Sequence, residues 1–161
     1  MALWSFELKV PWMVQIAAPS VSEQQRADAR ALLSALGQEV EADYEEQLDM
    51  ATALSGTGPA YVYLFMEALV DAGVHLGFSR RVAEQLVIQT VKGSVDFYQH
   101  SPSHLARLRN QVTSPGGTTA EAMYYLDKAG FRTAISRAVW AAYQRSVELG
   151  QGRARHDKLE G

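Results

Sequence analysis

Ser55-Gly56-Thr57-Gly58-Pro59-Ala60-Tyr61-Val62-Tyr63-Leu64-Phe65-Met66-Glu67-Ala68-Leu69-Val70-Asp71-Ala72-Gly73-Val74-His75-Leu76-Gly77 is the stretch on which the fold turns. Its first five residues break any preceding helix. Pro59 suits the first position of a new one, where the missing N–H costs nothing. From there to about Leu76 the pattern predicts a single helix, stopped at Gly77. Ala60, Val62, Leu64, Phe65, Ala68, Leu69, Val70 and Ala72 lie nearly all the way round it. A helix with no polar face is a buried helix. In a chain of 161 residues, burial on every side calls for a partner subunit to cover part of it.

Working outward, further helices follow in both directions. Upstream, Ser20 and Glu23 match an S-x-x-E capping box. Ala29, Leu32, Leu33 and Leu36 form the stripe of the helix it opens, and Gly37 is its expected stop. Glu39 to Tyr44 alternates as a short strand or an extended linker. Asp49 to Leu54 reads as a turn or two of helix. Downstream, Ser79 caps a helix to about Tyr98. Gly93 within it costs about 1 kcal/mol relative to Ala, which a close helix crossing would offset. Pro102 ends that region, and Ser103 caps a short helix through Val112. Thr113 to Gly117 is a loop. A helix then runs to Ala129 and stops at Gly130. The last helix spans about Arg132 to Leu149, with Ile135, Val139, Ala142, Tyr143 and Val147 as its stripe. No internal repeat or low-complexity segment is present. The fold class is therefore all-α, a bundle of about six helices.

Residues 1–19 show no helical period. Trp4, Phe6, Leu8 and Val10 alternate with Ser5, Glu7 and Lys9, which suits a short strand or the remnant of another domain. Glu7, Lys9 and Pro11 interrupt the apolar start, and no basic residue precedes it, so it does not read as a signal peptide. The expected organisation is an N-terminal extension over 1–19, a helical domain over 20–150 and a charged, mobile tail over 151–161.

Composition narrows the function. The net charge of −3 gives no electrostatic reason to expect nucleic acid or an anionic membrane as partner. Arg80-Arg81 and the Arg153, Arg155, Lys158 tail read as solvated surface. With no cysteine, the chain has no disulfide, thiolate metal site or cysteine nucleophile. That suits a reducing, cytoplasmic setting. No apolar run approaches the ~20 residues that span a bilayer.

Two loops carry the chemistry. Thr113-Ser114-Pro115-Gly116-Gly117-Thr118-Thr119 stands just before a helix. Its glycines let the backbone approach a ligand, and the helix start offers N–H groups and the positive end of the dipole to an anion such as a carboxylate. Ser114, Thr118 and Thr119 add hydroxyls. The plainer reading is a turn with a Thr cap. Ser55-Gly56-Thr57-Gly58-Pro59 also feeds a helix start, yet it lacks the third glycine of a dinucleotide fingerprint; a helix-breaking turn is its plainer reading. His100 and His104 are separated by Pro102, which breaks the helix that metal-ligand spacing needs. His75 reads as a cap or packed residue. Glu45, Glu46 and Asp49 read as surface charge. Tyr61, Tyr63, Tyr124 and Tyr125 read as core or interface. No nucleophilic triad is spelled out, so no residue is assigned a catalytic role and no metal is expected.

The segment Leu54 to Tyr61 resembles the S-G-S-G-P-A-Y segment of the pyrroline-5-carboxylate reductase family, with Thr57 in place of its second Ser. Val112 to Thr119 is similar to the family's V-T-S-P-G-G-T-T signature. Glu67 to Val74 with Leu76-Gly77, and Phe131-Arg132 with the following helix, resemble it as well. The likeness covers roughly residues 20–150; Leu105 departs from it, standing where the family commonly has Pro.

Several things are implied by the resemblance. The family reduces 1-pyrroline-5-carboxylate to proline with NADPH or NADH. Its N-terminal Rossmann domain holds the nucleotide, and its helical domain forms an interlocked dimer. Ser114, Pro115, Gly116, Gly117, Thr118 and Thr119 would then bind the substrate carboxylate, with Ser55 and Gly56 bordering substrate or nicotinamide. This chain contains no G-x-G-x-x-G, and a βαβ nucleotide unit needs ~30 residues or more. NADP or NAD is therefore not expected to bind this chain alone. A separate Rossmann-domain chain is one expected partner, a second copy another, and proline or pyrroline-5-carboxylate the ligand. The competing expectation is a stand-alone dimeric module that binds a small carboxylate, or only mediates association, without catalysis.

Overall fold

A computed structural model of the chain describes residues 12–152. The alternating pattern at Trp4 to Val10 and the basic tail lie outside these residues. In chain order the elements are β1 (Trp12–Gln15), α1 (Glu23–Leu36), β2 (Gln38–Glu41), α2 (Glu46–Ala51), a π-helical turn (Thr52–Gly56), α3 (Gly58–His75), α4 (Arg80–Gln99), α5 (Leu105–Gln111), α6 (Thr118–Lys128) and α7 (Phe131–Gly150). The fold is thus mostly helical, as expected, with one small sheet. The described residues belong to two compact units. One joins the chain up to Pro59 with the chain from Arg137 onward; the other is Ala60–Ser136.

The first unit begins with a parallel βαβ turn. β1 and β2 pair with Trp12 opposite Gln38 and Gln15 opposite Glu41. A parallel pair needs a crossover, and α1 supplies it. β2 presents Glu39 and Glu41 inward, while Gln38 and Val40 face out. This alternation decides which face of α1 docks. Arg26 meets Glu41 at 2.7 Å, and Arg30 meets Glu39 at 3.2 Å and Glu41 at 2.6 Å. Gln15 Nε2 donates to Glu39 Oε2 at 3.1 Å from the neighbouring strand. The apolar stripe expected on α1 is therefore only half used. Ala29 and Leu33 are partly covered, while Leu32 and Leu36 stay exposed. The cap also differs from expectation. Ser22, not Ser20, opens α1: its hydroxyl accepts from Gln25 N, and the Gln25 side chain accepts from Ser22 N at 2.9 Å. Gln substitutes for Glu in such a box, so S-x-x-Q two residues later wins the start.

Farther along the same unit, Asp49 of α2 accepts a 2.5 Å hydrogen bond from the Ser146 hydroxyl of α7. Asp49 is half-buried, not plain surface charge. The α7 stripe agrees with the sequence at Val139, Ala142, Tyr143 and Val147, all partly covered. Within the π turn, Ala53 is 1% exposed.

The second unit is built on α3 and α4. Val70, Ala83 and Val87 form its buried cluster, with Met66 and Val91 packed against it. Gly73 makes the close crossing: a Cβ added there would stand 3.0 Å from the Ala83 Cβ. The sequence had suggested Gly93 for that role, but the space at Gly93 is open. Gly77 and Gly130 end α3 and the α6 region as expected. α5 starts one residue later than expected and is capped by His104, whose Nδ1 accepts from Ala106 N at 3.1 Å. Ser103 does not cap it.

Within the single chain, Val70 is the one buried residue of α3. Tyr63 and Leu64 are 69% and 67% exposed, and Val62, Phe65, Leu69 and Val74 are exposed too. α3, apolar except for the exposed stripe Glu67, Asp71 and His75, is thus left largely uncovered by its own chain. No helix among the described residues is long and apolar enough to cross a membrane.

Candidate functional site

The two glycine-bearing loops fall in different units, and each has its own geometry. In the second unit, α5 hands directly into the signature loop. Thr113 Oγ1 donates to Arg109 O at 2.8 Å, and Thr113 N donates to Asn110 O at 3.1 Å. The chain then turns through Ser114-Pro115-Gly116-Gly117, closed by Gly117 N to Ser114 O at 3.0 Å. Gly116 sits at φ 69°, the left-handed region that only glycine enters without strain. Gly117 is crowded for a different reason: a Cβ there would displace the Ser114 hydroxyl and press on its carbonyl, 3.2 Å away.

Gly117 is also the N-cap of α6, and no side chain caps that end. Helix geometry leaves the N–H groups of Thr118, Thr119 and Ala120 without intrahelical acceptors. Ser114, Pro115, Gly116 and Thr118 are exposed, while Gly117 and Thr119 are half-buried. The structure so brings Ser114 to Thr119 together around one helix start. Its electrostatics are mixed. The helix dipole favours an anion, but Glu121 in the first turn already supplies a negative charge. Glu121 is exposed and its field is screened by water.

In the first unit, Ser55 and Gly56 close the π turn. Thr57 N donates to Thr52 O at 2.8 Å, a five-residue step, and Thr57 Oγ1 donates to the same carbonyl at 3.1 Å. Thr52 Oγ1 in turn donates to Leu48 O at 2.8 Å. Single π turns widen a helix by one residue and commonly mark functional positions. Ser55 and Gly56 are both exposed. The sequence announced the break but not its π character. Its signal, Thr at both ends of a five-residue step, is too general to read in advance.

The remaining candidates resolve simply. His100 caps α4, its Nδ1 lying 2.7 Å from Asp96 O. His75 is exposed. Tyr124 and Tyr125 are exposed and stack edge-on at 5.4 Å, with Lys128 Nζ 5.7 Å from the Tyr124 ring centre. They belong to no core within the chain. Among the described residues, no group of three or more His, Cys, Asp or Glu could hold a metal ion.

Residues 45–149 match the family model described as pyrroline-5-carboxylate reductase dimerisation. The chain belongs to this family. It is 47% identical over 140 residues to the pyrroline-5-carboxylate reductase of Synechocystis sp., covering 86% of this chain and 52% of that protein. The Pseudomonas aeruginosa reductase is 44% identical over 131 residues, 81% of this chain and 48% of its own length. Among solved structures, the Plasmodium falciparum pyrroline carboxylate reductase, with NADP bound, superposes with a TM-score of 0.80 at 38% identity, covering 86% of this chain and 52% of that one. The Coxiella burnetii reductase gives 0.82 at 35% identity, over 88% and 52%. The chain spans about half the length of the relatives it matches.

A dinucleotide does not fit the residues described here. The parallel βαβ turn is the place to look, since pyrophosphate binds where such a strand meets its helix. The link from Ile16 to Ser22 contains no glycine and does contain Pro19. The α1 start beyond it is already closed by Ser22 and Gln25.

Proposed function

We propose that this chain is the association and substrate-holding part of a pyrroline-5-carboxylate reductase, the enzyme class that makes proline. Two copies pair through the apolar helix faces of the domain over residues 20–150. The loop Ser114, Pro115, Gly116, Gly117, Thr118 and Thr119 holds the carboxylate of pyrroline-5-carboxylate or proline, and Ser55 and Gly56 border substrate or nicotinamide. The nucleotide, NADP or NAD, is held by a Rossmann domain, in the same protein or in another chain, and residues 12–152 by themselves neither bind it nor turn over substrate.

The observation that carries the reading is the start of α6. It is uncapped by any side chain, its turn holds Gly116 at a positive φ, and a side chain at position 117 would crowd Ser114. Such an arrangement keeps backbone donors open to an outside acceptor. Each charge-assisted hydrogen bond contributes about 1.5–3 kcal/mol. A site open to solvent on one side retains only part of this, so millimolar affinity for proline is expected, about −4 kcal/mol.

Proline titrated against the labelled protein tests the reading by NMR. The amides of Gly116, Gly117 and Thr119 should shift, and Thr119→Val should weaken binding while the fold persists. Unmoved signals at tens of millimolar proline would make the association-only module the better account. Calorimetry giving a micromolar dissociation constant for NADPH would overturn the nucleotide part.

A further inference from the structure

α4 carries a glycine for which its own chain has no use. Gly93 lies in the helix interior, where glycine is less favourable than alanine. Among the described residues, no atom stands within 4 Å of where its Cβ would be. The close crossing of α3 and α4 falls instead at Gly73 and Ala83. A bare stretch of helix lets another backbone approach closely.

The neighbours of Gly93 on the helix surface are informative. Leu86, Thr90, Gly93 and Phe97 follow one another at steps of four, three and four residues, so they share one face of α4. The covered face, made by Ala83, Val87 and Val91, lies about a quarter-turn away. Leu86 is 50% exposed and Phe97 62%, and Thr90 is exposed as well. None of the four is charged. The spacing is also symmetric. Leu86 and Phe97 are centred on the same point of the helix as Thr90 and Gly93.

We infer that this face of α4 packs antiparallel against the same face of α4 in a second copy, with Gly93 of each copy receiving Thr90 of the other. The inference rests on the reading that two copies pair through apolar helix faces, and it names the face. A two-fold axis through the shared centre sets Leu86 of one copy on Phe97 of the other and Thr90 on Gly93, so the face is complementary to itself. The gap at Gly93 is then filled by a small branched side chain, and the two large apolar residues cover each other. Parallel packing would oppose Gly93 to itself and leave the gap empty. It would also bring together the Arg80-Arg81 pairs that begin α4 in both copies, a like-charge contact that the antiparallel arrangement avoids. A second copy fits better than an unrelated partner because α4 lies wholly inside the stretch that belongs to the dimerisation family.

The chain has no cysteine, so introduced thiols report without background. In the double variant Leu86→Cys/Phe97→Cys the two thiols stand about 16 Å apart on their own helix, too far to join within one chain. With a short thiol crosslinker the double variant should run as a covalent dimer on a denaturing gel, and each single variant as a monomer. Linked single variants would mean parallel packing and overturn the inference, as would no link in any of the three. Gly93→Leu is followed alongside by sedimentation. Its dissociation constant should rise roughly tenfold or more, because the added side chain occupies the place of the other copy's Thr90. Its helix content by circular dichroism should hold, because that space is open in the single chain. A wild type that is monomeric at micromolar concentration would remove the pairing itself, and this face with it. A wild-type dimer whose affinity is unchanged in Gly93→Leu would remove this face alone.

Discussion

Gly73 and Gly117 are both closed to side chains, but for different reasons and with different consequences. At Gly73 the neighbour is the Ala83 Cβ across a helix crossing, 3.0 Å from where a methyl would sit. Replacing a helical Gly by Ala gains about 1 kcal/mol of propensity, while crowding a packed site costs about 1–3 kcal/mol. Gly73→Ala should therefore change stability little. Gly73→Val, which adds two more carbons than Ala beside the Ala83 Cβ, should cost about 2 kcal/mol or more. Urea denaturation of the two variants checks this; equal midpoints would show that α3 and α4 are free to move apart. At Gly117 the obstruction is the loop's own Ser114. Gly117→Ala should leave global stability nearly intact and weaken the proline-induced shifts, because the added methyl displaces the Ser114 hydroxyl.

In the first unit, elements meet through polar contacts. α1 docks by Arg26 and Arg30, and α2 is tied to α7 by Asp49 and Ser146. A hydrogen bond to a carboxylate contributes about 1.5–3 kcal/mol when its partner stays behind unpaired. Asp49 is only half-buried, so Ser146→Ala should cost about 1–2 kcal/mol. It should also loosen the π turn that follows α2, seen as faster amide exchange at Ala53 to Thr57. Unchanged exchange there would separate the α2–α7 tie from the turn. At the other end of the unit, two serines compete for one helix start. Ser22→Ala should lose about 1 kcal/mol and Ser20→Ala almost nothing. Thermal melts of the pair decide it, and the reverse order would move the start of α1 back to Ser20.

For the molecule as a whole the controlling fact is uncovered apolar surface. Among the described residues only Ala42, Ala53, Val70, Ala83 and Val87 are buried. Tyr63, Leu64, Ile88, Phe97 and Trp140 are exposed, far beyond the scatter of single apolar residues normal on a monomer. Under the proposed pairing these faces are covered by a second copy, and an interface of that kind buries more than about 2,000 Å². Sedimentation should give a species of twice the 17.7 kDa chain mass whose melting temperature rises with concentration. Leu64→Lys replaces a residue that its own chain leaves 67% exposed. It should dissociate the pair while costing the single chain little. A stable folded monomer of the wild type at micromolar concentration would remove the pairing from the proposal.

The features legible in the sequence were those decided within a turn of helix. Pro59 at the start of α3, Ser79 before α4, the stops at Gly77 and Gly130, and the Ser114–Thr119 loop ahead of α6 all follow from φ restrictions, missing donors and caps, which act over four residues or fewer. The mostly helical class and the signature loop were therefore readable. What the tertiary structure decided was every choice between local equals. Ser20 and Ser22 both head a capping-box pattern in the sequence, and the folded chain makes the reciprocal bonds at Ser22 and Gln25. Both faces of α1 carry plausible contacts, and the inward Glu39 and Glu41 select the arginine face over Leu32 and Leu36. Gly73 and Gly93 are equivalent as glycines, and only the approach of Ala83 distinguishes them. The pairing of β1 with β2 and the bond from Ser146 to Asp49 join residues far apart in the chain. No local pattern encodes such contacts, because their stability comes from closing a loop onto a partner that exists only once the rest has folded.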